Sequence, residues 1–74
     1  MNRENRRQQM ILLTMEPGGE TREFPRPKTA LQLLHALGLE EETALVARQG
    51  KLLTPDRQIW PGDEILVRIV ASRG

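Results

Sequence analysis

The sequence predicts an α+β fold in which a mixed sheet of four to five strands packs on one helix. Three observations carry this. Short apolar runs open and close the ordered part of the chain, at 10–15 and 64–71; one stretch, 30–37, has helical spacing; and Gly, Pro and acidic turns separate the segments between. One helix with a single apolar face must lie across one sheet if both are to be buried. The first and last strands are the most hydrophobic, which suits adjacent central positions.

Met1 to Gln9 is polar after the initiator and holds Arg3, Arg6 and Arg7, so it is expected to extend from the fold as a flexible tail. Met10 to Met15 reads as a strand, and Pro17-Gly18-Gly19 follows as a hairpin turn. Glu20 to Phe24 reads as an edge strand with one wet face, ended by Pro25 and Pro27, which have no N–H for a ladder.

Thr29 and Gln32 form the Thr-x-x-Gln pattern of a capping box. Leu31, Leu33, Leu34 and Leu37 follow at helical spacings, and Gly38 stands where a left-handed residue ends a helix. His35 is expected on the helix surface, and Glu40-Glu41-Glu42 as a solvated loop. Thr43 to Arg48 reads as a central strand, Gln49-Gly50 as a turn, and Lys51 to Leu53 as a short return strand. After a connection holding Trp60, expected as a lid on the small core, Pro61-Gly62-Asp63 turns into the last strand, Glu64 to Ala71. Ile65, Val67 and Ile69 share one face of that strand, and Leu66, Arg68 and Val70 the other. The domain is therefore expected at 10–71, with 72–74 as a second flexible tail.

At 74 residues the chain has room for one small domain. With no cysteine it has neither disulfides nor thiolate metal sites nor thiol catalysis, and one histidine does not make a multi-histidine metal site. Eleven basic residues against ten acidic give a net charge of +1, so no direct nucleic-acid contact is expected. No apolar run approaches the roughly 18–20 residues of a membrane span. A cytoplasmic domain without a membrane partner is expected. His35, Asp56, Asp63 and the glutamates have no spacing that pairs an acid with a base or a nucleophile with its base, and the chain is not expected to be an enzyme.

The order strand, strand, helix, strand, short strand, strand is that of a β-grasp, or ubiquitin-like, fold. Two elements extend the likeness: the Gly50 turn after Ala44-Leu45-Val46-Ala47-Arg48, and Pro61-Gly62-Asp63-Glu64-Ile65 followed by a short tail ending in Gly74. Together they resemble the ThiS/MoaD-type sulfur carriers over residues 10–74. The resemblance implies chemistry on the tail. A ubiquitin-activating-type (E1-like) enzyme uses ATP to adenylate the Gly74 carboxylate, and a sulfur donor converts it to a thiocarboxylate. The sulfur then passes to an acceptor enzyme such as a thiazole synthase of thiamine biosynthesis or a tRNA thiolase. The carrier needs no cofactor and is a cosubstrate of its partners.

Such tails end in two glycines because they must thread a narrow channel. Here Arg73 falls on the penultimate glycine, after Ser72, and departs from the pattern. Three readings stand: the partner's channel accepts Arg73, the chain is a degenerate paralogue that keeps the fold and binds without being activated, or Gly74 is not the native end. Leu45 or Ala47, Leu66, Arg68 and Val70 are expected on the sheet face away from the helix, which in such carriers meets the activating enzyme. The helix bearing His35 and the turn-strand Gly50 to Leu53 also resemble the TGS regulatory modules. A third alternative is a ubiquitin-like modifier that joins Gly74 to a lysine.

Overall fold

The computed structural model describes residues 9–70. In chain order they form β1 (Met10–Glu16), β2 (Glu20–Pro25), α1 (Ala30–Ala36), a 3-10 turn (Glu41–Thr43), β3 (Ala44–Arg48), β4 (Lys51–Leu52) and β5 (Glu64–Ile69). The sheet order is β2-β1-β5-β3-β4, with β1 parallel to β5 and every other pair antiparallel. The two most apolar strands are neighbours, and β5 is central. The tails expected at 1–9 and 72–74 lie outside the described residues, apart from Gln9. That residue is tied down, since its carbonyl accepts the Arg26 N–H at 2.8 Å.

Thr29 caps α1 by accepting the Gln32 N–H at 3.2 Å, which satisfies one of the free amides of the first turn. Gln32 reaches back one residue further than expected, to the Lys28 N–H at 3.1 Å. The helix ends in a Schellman motif: Gly38 N–H donates to His35 C=O and Leu39 N–H to Leu34 C=O, at 3.0 and 2.8 Å. Gly38 has φ +75°, and a Cβ there would meet nothing within 4 Å. Its glycine answers a backbone angle, not crowding. Leu39 then packs against the core.

The core is the layer between α1 and the sheet. Ile11 and Leu13 of β1, Val67 and Ile65 of β5, and Ala44 and Val46 of β3 meet Ala30, Leu33 and Leu34 of α1. The edge strands β2 and β4 supply no buried residue. Ile69 keeps the period of Ile65 and Val67 but is 42% exposed, because it pairs with Ala44 at the sheet end. The expected triplet on one face is thus buried at only two positions. Ile59, from the irregular connection, completes the core at 0% exposure.

β3 and β4 are joined by Gln49-Gly50, with φ of 55° and 80°. Both central residues of a type I′ turn need positive φ, which glycine tolerates and glutamine does not. Replacing Gln49 by glycine or asparagine is expected to stabilise the domain by about 0.5–1 kcal/mol, read as a higher urea midpoint at unchanged m-value. A lower midpoint would show that the Gln49 side chain contributes more than its backbone strain costs.

Candidate functional site

Alternation along the strands sorts side chains onto two faces. With Val46 and Val67 buried against α1, Leu45, Ala47, Leu66 and Arg68 point to the opposite, outer face. The register places Leu45 opposite Arg68 and Ala47 opposite Leu66. Four of the five residues expected on this face are therefore neighbours in two adjacent strands. Val70 lies just past β5, half-buried, its N–H bonded to Thr43 C=O at 2.9 Å. The reactive tail residues Ser72, Arg73 and Gly74 lie outside the described residues.

The face extends further than the expected set. Leu52 of β4 pairs with Ala47 and is 67% exposed, and Leu12 of β1 is 40% exposed. Thr14 lies beside Leu66 and shares a 2.7 Å hydrogen bond with Thr21 on β2. Glu16 and Glu64 continue the face along β1 and β5. The outer sheet is thus an open apolar strip, Leu45 to Leu52 and Leu66, edged by charge. Contiguous exposed apolar area of this kind marks interaction surfaces. Leu52 was hidden in the sequence because a two-residue strand has no alternation to read. The two-residue turn before it, which fixes the register, was the available signal.

A second constellation holds the connection before β5. Asp63 Oδ2 accepts from Arg48 Nη1 at 2.7 Å and from the Trp60 N–H at 2.9 Å. The same Arg48 nitrogen donates to Gln58 C=O at 3.1 Å. From the other side Arg26 Nη1 donates to Ile59 C=O at 3.1 Å. Pro61-Gly62 forms the turn between Trp60 and Asp63, closed by Asp63 N–H to Trp60 C=O at 3.1 Å. Gly62 has the positive φ, +84°, that the second central residue of a type II turn requires.

Trp60 is therefore not the lid expected of it. It is 53% exposed, and the preceding Ile59 takes the core position. The physical reason is a long-range bond: the Ile59 N–H is fixed to Lys28 C=O at 3.0 Å, which turns that side chain inward and the next one out.

His35 is exposed, as expected for a helix-surface residue, and no group of three or more metal-ligating side chains occurs among the described residues. Asp56 has its carboxyl held below the ordinary value, chiefly by the Thr54 hydroxyl that donates to it at 2.6 Å. A depressed folded-state pKa stabilises the fold above the unfolded value, and that stabilisation fades as pH falls through the folded one. A groove of about 340 Å³ runs between α1, β3 and Pro55. Its lining is apolar apart from Glu41 and Thr54. No helix among the described residues is long and apolar enough to cross a membrane.

No protein-family model matches the chain, and no curated protein matches it in sequence. Among solved structures it is similar to a computationally designed protein based on the template of human erythrocytic ubiquitin, determined by NMR. The two share 27% identity with a TM-score of 0.63, over 89% of this chain and 96% of the other. The fold is a ubiquitin-like β-grasp.

Proposed function

We propose that this ubiquitin-like domain is a sulfur carrier, in which the outer sheet face docks on an adenylating enzyme and Gly74 presents the reacting carboxylate. One observation supports the reading most: the central strand β5 carries Leu66 and Arg68 on the open face and leads directly into residues 71–74. A partner seated on Leu45, Leu52 and Leu66 would lie along the strand that delivers the tail. Arg68, flanked by Leu45 and Glu16 in the register, adds a cation to the tail side of that surface.

In the proposed sequence a Gly74 carboxylate oxygen attacks the α-phosphorus of ATP and pyrophosphate leaves. A hydrosulfide equivalent from the sulfur donor then attacks the acyl carbon and displaces AMP, leaving a thiocarboxylate. All catalytic groups belong to the partners. Arg73 calls for an activating channel wide or acidic enough to pass a guanidinium. Delivery to a thiazole synthase or to a tRNA thiolase is compatible with the same first steps, and so is transfer to a lysine as a protein modifier.

The test begins with the intact mass of the native protein, which fixes its C-terminal residue. Incubation with ATP, a sulfide source and the adenylating enzyme from the same genome is expected to give ATP–pyrophosphate exchange. It should also give a mass gain equal to sulfur replacing oxygen. Deleting Gly74 should abolish both. Exchange without deletion sensitivity, or none with any such enzyme, would overturn the proposal. Leu66→Glu, on the docking face, is expected to raise the carrier concentration needed for half-maximal exchange by about tenfold or more, the cost of a charge placed in an apolar contact.

A further inference from the structure

We propose that the groove between α1 and β3 takes a short extended peptide, an aliphatic segment with a basic residue at its end, which pairs with the uncovered edge of β3. The inference goes beyond the carrier reading and needs neither Gly74 nor an adenylating enzyme.

The edge is open because β4 is too short to cover it. β3 runs from Ala44 to Arg48, and β4 pairs only with Ala47 and Arg48. One further bond, Leu53 N–H to Val46 C=O at 2.8 Å, ends the ladder. The chain then leaves. Pro55 C=O takes the Leu31 N–H of α1 at 2.9 Å, and Thr54 C=O takes the Arg57 N–H at 3.0 Å. The residues that would have continued β4 beside Ala44 are thereby drawn off to the helix, and the groove lies between.

In an antiparallel ladder successive residues direct their N–H and C=O to opposite neighbours. Thr43 C=O accepts the Val70 N–H on the β5 side, and Val46 C=O accepts from Leu53 on the β4 side. Ala44 therefore turns both its N–H and its C=O toward the groove, and Val46 its N–H. Among the described residues none of these groups has a hydrogen-bond partner. Yet Ala44 and Val46 are each only 4% exposed. Backbone groups at such depth are almost always paired, and uncovered strand edges take their partners from other chains.

The walls specify the side chains. Ala30 and Leu34 of α1 line the groove with Val46 and Leu53, so an aliphatic side chain entering it leaves water. Glu41 is the one charged residue in the lining, and it belongs to the 3-10 turn that leads into Ala44. The cation of β4, Lys51, pairs with Arg48 at the far end of β3. A basic residue of the occupant would therefore meet an acid at the Ala44 end. One residue of an extended peptide answers Ala44 with both its N–H and its C=O, which an apolar small molecule does not. The open stretch spans only Ala44 to Val46 and is walled by α1 and Pro55, which suits a single free strand and not the edge of a second folded sheet.

The probe is an end-capped heptapeptide of alternating valine and threonine with a lysine at each end. Added to the isotope-labelled full chain, it is expected to shift the Ala44 and Val46 amide signals saturably, with half-saturation near about 1 mM, and to slow their exchange with solvent. The same peptide N-methylated at its central residues has lost backbone donors and should bind about tenfold more weakly. Glu41→Lys should weaken binding about fivefold and improve binding of an analogue with glutamate at each end. The dispersion of the amide spectrum checks that the variant is folded. Unmoved Ala44 and Val46 signals at about 10 mM peptide would overturn the proposal. So would equal affinity for the N-methylated peptide, unchanged affinity in folded Glu41→Lys, or shifts of the same two amides on concentrating the protein alone, which would assign the edge to a second copy.

Discussion

Ile59→Ala is expected to lower the unfolding free energy by about 2–5 kcal/mol, the cost of truncating a fully buried aliphatic side chain whose surroundings close only partly. Ile59 is 0% exposed and packs with core residues that come from α1 and three strands. A domain of this length holds only about 4–11 kcal/mol in total, so the variant should lose a large share of its stability and show a far lower thermal midpoint. Trp60→Ala, one residue on, should cost less than about 1 kcal/mol because its ring is half in water. The pair of measurements is decisive: equal losses at both positions would mean that the connection is not oriented as described.

Removing the Asp63 carboxylate should have the next largest effect. Asp63→Ala takes the partner from Arg48 and from the Trp60 N–H together, and hydrogen bonds to a charged group contribute about 1.5–3 kcal/mol. Both side chains are about one-fifth exposed, which screens the pair, so a loss of about 2 kcal/mol is expected from urea denaturation. A double-mutant cycle with Arg48→Met isolates the pairwise part. Coupling below about 0.3 kcal/mol would show that Asp63 acts through the turn alone. In the Asp63→Ala variant the Trp60 amide should exchange faster with solvent, since its acceptor is gone.

The sheet was legible because its residues alternate. The phase of Leu45, Ala47, Leu66 and Arg68 follows from period two once any one neighbour is assigned to the core, and the register then brings them together. The helix was legible from Thr29, Gln32 and Gly38, each of which answers a particular unsatisfied group at a helix end. The connection from Thr54 to Asp63 was not. It has no period, so nothing local says which of two adjacent large residues, Ile59 or Trp60, turns inward.

That choice is made by partners distant in sequence: Lys28 and Arg26 before the helix, and Arg48 at the end of β3. The placement of charge was hidden for a related reason: composition counts Glu40–Glu42, before β3, and Arg48, at its end, without saying which strand ends they share.

The parallel pairing of β1 with β5 has a mechanical consequence. Because the two strands run the same way, a pull that drags β5 toward residue 70 while β1 is held at Met10 acts along the strands. Every hydrogen bond between them is then loaded at once, in shear, and none can be peeled open ahead of the rest. The antiparallel hairpin of β3 and β4, pulled from its open end, would give way one rung at a time. A domain tugged by residues beyond β5 therefore resists as a unit up to a threshold force and then fails abruptly. Traction on the tail is borne by the strand buried deepest in the sheet.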